Sequence, residues 1–168
     1  RAYNNIAAYH LSKGNMDRAY EYLIKAEQNG GANESSVLTN LGIVASWNGD
    51  LKKARILFNK ANTTPLNLAI LDIRQGNYRS ATERLRGNSY NAALANILNG
   101  NNNYTCNENT AECFYLNAIA GARAGNESML FINLEKSIQN SDIYKEEALK
   151  DLEFEKYRTH EKFISLTK

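Results

Sequence analysis

Between Leu38 and Ala61 the chain reads LTNLGIVASWNGDLKKARILFNKA, and its apolar positions form two helical stripes. Leu38, Leu41 and Ala45, with Gly42 beside them, follow spacings of three and four, as do Ala54, Phe58 and Ala61. Such spacing keeps each set on one face of a helix. Asn48-Gly49-Asp50 lies between the stripes, and Asn-Gly pairs tolerate the left-handed backbone of a tight helix–helix turn. The pattern predicts a helical hairpin. A near copy stands 35 residues earlier, where Gly14 precedes Gly49, Ala19 precedes Ala54 and Ala26 precedes Ala61. A fixed period of this size marks a solenoid of helix–turn–helix units, each burying its apolar face on a neighbour.

In the earlier copy Tyr3, Ile6, Ala7 and His10 form the first stripe, and Ala19, Leu23 and Ala26 the returning one. Gly30-Gly31 then ends the second helix, and Ser35 and Ser36 offer N-cap oxygens for the next. The order Leu38, Leu41, Gly42, Gly49, Ala54, Phe58 and Ala61 resembles the tetratricopeptide repeat, and Tyr3 through Ala26 carries the same order. The resemblance implies an all-α, right-handed solenoid of about five helix–turn–helix units. The units expected are 1–31, 35–62, 65–87, 89–109 and 110–140, followed by a capping helix over 143–157, all in one domain. The third unit is shortened, with Pro65 in the first turn of its opening helix, where a missing N–H costs little. The fourth opens well at Tyr90, Ala92, Ala93, Leu94 and Ile97, but Asn101 to Cys106 has few helix formers and predicts a loop or a short helical turn. The fifth recovers with Phe114, Ala118 and Gly121, a turn at Gly125-Asn126, and Leu130, Leu134 and Ile138. Ala148, Leu149, Leu152 and Phe154 are expected to form the apolar side of the cap, because a terminal unit needs a polar outer face. A further helical turn through Phe163 and Leu166 is expected beyond it.

Composition sharpens this picture by exclusion. Hydrophobic residues make up 43% of the 168 positions and charged residues 23%, as in a folded globular chain. The net charge of +2 comes without a basic run, so a nucleic-acid footprint is not expected. No stretch approaches the ~18 apolar residues of a membrane span, and no signal peptide is visible. The chain starts Arg1-Ala2-Tyr3 inside a helical pattern, without Met, and is expected to be a piece of something longer.

The two cysteines, Cys106 and Cys113, allow two readings: a small disulfide pinning an Asn-rich loop in an oxidising compartment, or two unrelated thiols. Neither His10 nor His160 stands at a zinc-ligand spacing from them, so no metal is expected. The cysteine pair, the Asn and Lys usage and the repeat style look similar to bacterial cell-envelope repeat proteins. That likeness favours a periplasmic or envelope location over the cytoplasm.

No catalytic constellation emerges: there is no Gly-rich phosphate loop, no paired-His helix and no nucleophile elbow. Glu146, Glu147, Asp151, Glu153 and Glu155 alternate with lysines and read as a solvated helix face. The expected function is therefore a non-enzymatic scaffold, without cofactor, that binds a peptide or protein segment in its concave groove. The alternative is an architectural spacer supporting other domains. In the repeat family the groove is lined by the first helix of each pair, which implies Asn4, Ala8, Thr39, Ile43, Trp47, Ile70 and Arg74. It further implies Tyr90, Leu94, Tyr115, Ile119 and Arg123. Trp, Tyr and Arg anchor interfaces most often, although Trp47 also reads as ordinary inter-repeat packing. Arg74 and Arg123 read either as contacts for acidic groups or as solvated charges. Asn5, Asn40, Asn67 and Asn91 recur at one place in four units and read either as bridges to a bound backbone or, preferably, as structural bonds between repeats. The Lys and Asn with which chaperone-binding family members hold a C-terminal carboxylate are replaced here by Asn4 and Ala8, so that activity is not implied.

Overall fold

Five helices of the chain end in the same way. Gly14, Gly49, Gly76, Gly100 and Gly125 all have positive φ, between 68° and 103°. The next residue's N–H reaches back five residues, as in Asn15 to the His10 carbonyl at 2.9 Å and Asp50 to Ala45 at 2.9 Å. Asn77 to Asp72, Asn101 to Asn96 and Asn126 to Gly121 repeat the bond at 2.8 to 3.0 Å. This is the Schellman closure, which satisfies orphan carbonyls and needs a residue without Cβ strain at its left-handed position. The computed structural model of the chain describes residues 1–87, 89–101 and 103–168, and Asn102 of the expected loop lies outside them. No described helix is long and apolar enough to cross a membrane.

Where the sequence reads as one domain, the chain divides into two compact units, Arg1–Leu85 and Arg86–Lys168. The first holds α1 (Ala2–Ser12), α2 (Met16–Ala26), α3 (Ser35–Trp47), α4 (Leu51–Lys60), α5 (Pro65–Arg74) and α6 (Tyr78–Arg84). Consecutive helices pack as antiparallel pairs, α1 on α2, α3 on α4 and α5 on α6, and the pairs touch through α2 on α3 and α4 on α5. Ala7, Ala19, Leu23, Val37, Leu41 and Val44 form one apolar cluster, and Ala45, Ala54, Phe58 and Leu71 the next. Pro65 occupies the first turn of α5, as its missing donor allows. Ser35 is not the N-cap of α3. That place belongs to Glu34, and the Ser35 hydroxyl instead donates to the Ala61 carbonyl at 2.5 Å, satisfying the end of α4. Asp72 of α5 is buried and accepts from Arg55 of α4 at 2.6 Å and Arg84 of α6 at 2.7 Å, tying three helices together. A buried carboxylate needs such partners to offset its lost hydration.

The second unit holds α7 (Tyr90–Leu98), α8 (Ala111–Ala124), α9 (Glu127–Asn140), α10 (Ile143–Lys150) and α11 (Glu161–Thr167), with a 3₁₀ turn at Leu152–Tyr157. No second helix follows α7; the described residues from Asn101 to Thr110 form a loop. Cys106 and Cys113 are joined by a disulfide across it. The buried Asn117 side chain holds the same loop, accepting from the Cys106 N–H at 2.7 Å and donating to its carbonyl at 3.0 Å. Gly121 lets α8 and α9 approach until an added Cβ would stand 2.6 Å from the Leu130 backbone nitrogen.

The capping helix expected over 143–157 is corrected: it breaks at Asp151. That residue is extended (φ −71°, ψ 125°), and one carboxylate oxygen caps the next turn by accepting from the Glu153 N–H. Its other oxygen accepts from the Tyr115 hydroxyl at 3.0 Å. The break changes which apolar residues turn inward. Ala148 and Phe154 are buried, whereas Leu149 and Leu152 face solvent.

Candidate functional site

Two places gather the residues expected to line a groove, one in each unit. In the first unit, Thr39, Ile43 and Trp47 are spaced by four along α3, and Ile70 and Arg74 likewise along α5. Ile43, Ser46, Trp47, Phe58, Asn67, Ile70 and Arg74 line an open cavity of about 300 Å³ between those helices. Trp47 is 63% exposed, an unusual state for a large aromatic side chain, and Ile70 and Leu66 are also exposed. Thr39 is half-buried on the same stripe. Asn4 of α1 accepts from the Asn40 amide of α3 at 2.9 Å, so both spend polar capacity on a link between helix pairs. Arg74 donates from Nη1 to the Ser46 carbonyl at 2.5 Å and to Ser46 Oγ at 2.7 Å. A cation there also meets the negative end of α3.

In the second unit, Tyr90 of α7, Tyr115 of α8 and Tyr144 of α10 meet around a cavity of about 350 Å³, with Ile143, Glu112 and Glu147 completing its lining. The Tyr115 and Tyr144 ring centroids are 4.7 Å apart, and Tyr115 packs edge-on against Phe154. Burial pushes the Tyr90 phenol far above its usual range, helped by Tyr144 and the carboxylates of Asp151, Glu147 and Glu112. Burial and then Asp151, through its charge and its hydrogen bond, raise Tyr115 further still. Tyr144 rises through burial and the charges of Glu112 and Glu147. Burial first, and the nearby carboxylates second, hold all three rings neutral.

Other expected groove positions lie elsewhere. Ile119 is buried in the core, and Leu94 packs against that core. Arg123 is not open to a partner: its Nη1 donates to both Glu153 oxygens at 2.9 and 3.1 Å, and its Nη2 donates to the Leu98 carbonyl. Ala8 is exposed on α1. Of the recurring asparagines, Asn40 bonds across helix pairs and Asn67 donates to Thr63 Oγ1 at 2.7 Å within its own turn. His10 stacks on Tyr22 at 5.6 Å, with rings nearly parallel.

Sequence reasoning missed Tyr144 and Glu112; Glu147 is exposed, as its charge pattern reads, and also borders the cavity. The only signal available was Tyr144 itself, an aromatic in an otherwise charged stretch. Among the described residues no group of three or more His, Cys, Asp or Glu side chains is placed to hold a metal ion. No protein-family model, curated protein or solved structure matches this chain.

Proposed function

We propose that the chain is a non-catalytic interaction scaffold of the tetratricopeptide type, a right-handed solenoid of about five units, that binds an extended peptide or protein segment against α3 and α5. The observation that carries this reading is the side-by-side placement of Ile43, Trp47 and Ile70 around one open cavity. An exposed indole beside two branched aliphatic side chains is the composition of an interface anchor. Its polar neighbours, Asn67 and Arg74, supply the few directed groups that orient a ligand. The recurrence of one helix ending at five places along the chain supports the repeat reading. The disulfide supports an oxidising location such as the cell envelope.

The test is selection of binders from a random peptide library displayed on phage, with the intact chain as bait. Selected peptides are expected to lose about thirtyfold in affinity on Trp47→Ala, the ~2 kcal/mol of an anchor residue. Peptides whose affinity is unchanged by this substitution would remove the α3–α5 face from the proposal. A second reading, an architectural spacer, draws on Arg123, whose guanidinium serves internal contacts with Glu153 and the Leu98 carbonyl. Recovery of no peptide at all from the library would favour it.

A further inference from the structure

Tyr90, Tyr115 and Tyr144 bring three electron-rich rings to one cavity, and Glu112 and Glu147 stand at its edge. Among the described residues neither glutamate makes an ion pair. Among the described residues no Lys or Arg lines the cavity. Elsewhere the chain covers its own rings with lysines, over Tyr9, Tyr22, Phe114 and Tyr157 at 4.8 to 5.9 Å, but not these three. We propose that this cavity receives the alkylammonium end of a lysine-type side chain, plain or methylated, carried by the partner segment.

The chemistry selects that occupant over others. Aromatic faces carry negative quadrupole density and attract cations, most strongly where water is displaced. Burial is the main cause that keeps the three phenols protonated, and the carboxylates that add to it, Glu112 and Glu147 at the cavity edge, also attract an entering positive charge. An anion would meet Glu112 and Glu147 directly, and a neutral apolar group would cover them without a compensating charge. Asp151 adds to the field but is already engaged, accepting from Tyr115 and from the Glu153 N–H. Ile143 gives the methylene stem or N-methyl groups an apolar wall.

The inference rests on the reading of the chain as a binding scaffold, but its test uses small probes and the second unit alone reports it. The intact protein is titrated with short glycine-flanked peptides carrying lysine, trimethyllysine or the neutral norleucine, and with free choline, while the tyrosine ring resonances are followed by NMR. The cationic peptides are expected to shift the Tyr90 and Tyr144 resonances saturably and to bind about tenfold more tightly than the norleucine peptide. The double substitution Glu112→Gln, Glu147→Gln leaves the packing intact and is expected to erase that difference. Tyr144→Ala is expected to abolish the shifts at Tyr90. Equal binding of lysine and norleucine peptides, or no saturable shift with any cation, overturns the cation assignment. Choline binding as tightly as the cationic peptides overturns the assignment to a partner's side chain. These outcomes leave Trp47 and its cavity untested, so failure here and failure of the α3–α5 face are separately visible.

Discussion

A Cβ on Gly42 would stand 2.5 Å from Cε1 of Phe58, closer than real carbon atoms approach. Phe58 is itself buried against Ala54 and Leu71, so its ring has little room to move. The contact explains why the α3–α4 hairpin needs glycine in mid-helix, where glycine ordinarily costs about 1 kcal/mol relative to Ala. Gly42→Ala recovers that helix propensity but overpacks the ring by about 1–3 kcal/mol, and a net loss of stability is expected. Phe58→Leu in the same chain should relieve the clash, so a double-mutant cycle read by denaturant unfolding should show coupling of about 1 kcal/mol. Additive effects would contradict the contact. Gly121→Ala offers the contrast, because its Cβ would meet the Leu130 backbone, and no side-chain substitution is expected to rescue it.

Asp72 makes the α4–α5–α6 arrangement dependent on one carboxylate. Asp72→Ala leaves Arg55 and Arg84 facing a buried void, and a loss of about 3 kcal/mol is expected. Arg84→Ala should cost only about 1 kcal/mol, because its side chain is 39% exposed and partly screened by water. Equal losses from the two substitutions, measured by urea unfolding, would argue against Asp72 as the shared hub.

The alkaline limit of the second unit follows from its phenols. Their folded-state values lie above the unfolded value near 10, so the neutral ring is favoured by folding. Above about pH 10 the unfolded chain releases protons that the folded one retains, and stability falls as pH rises. Below that pH the contribution is fully present. Tyr115→Phe removes one of these phenols, so its thermal midpoint is expected to fall less steeply between neutral and alkaline pH. At neutral pH the variant should be less stable by the hydrogen bond to Asp151, about 1 kcal/mol. A steeper alkaline fall in the variant would contradict the sign.

Thiol titration of the unfolded, unreduced protein is expected to find no free thiol, since Cys106 and Cys113 are bonded. Reduction releases the constraint on a short loop, at a cost of about 2–3 kcal/mol. Asn117→Ala should add to that loss by freeing both backbone groups of Cys106. Two titratable thiols in the unreduced protein would also remove the support for an oxidising location.

These cases show what the sequence could and could not reveal. The hairpins were legible because their signals are local: apolar spacings of three and four, a glycine at each left-handed turn position, and small residues where helices touch. The loop after α7 was legible for the same reason, in a run of poor helix formers. The break at Asp151 was not, because it depends on a hydrogen bond from Tyr115, 36 residues away, against a sequence that reads as one amphipathic helix. Arg123 resembled an open groove charge until Glu153, thirty residues on, accounted for it. Asp72 and Asn117 likewise gain their roles only when distant helices are brought together. Ile43, Trp47 and Arg74, expected from the family resemblance to line a groove, do border one cavity.

Trp47 is the sole tryptophan of the chain, which makes the proposed binding face its own reporter. A library-selected peptide titrated into the intact protein should cover this largely exposed indole and shift its emission to shorter wavelength, saturably. The same titration in Ile70→Asp, where the reporter is retained, should weaken by about thirtyfold. Tight peptide binding with no change in Trp47 emission, and undiminished in Ile70→Asp, would contradict the account.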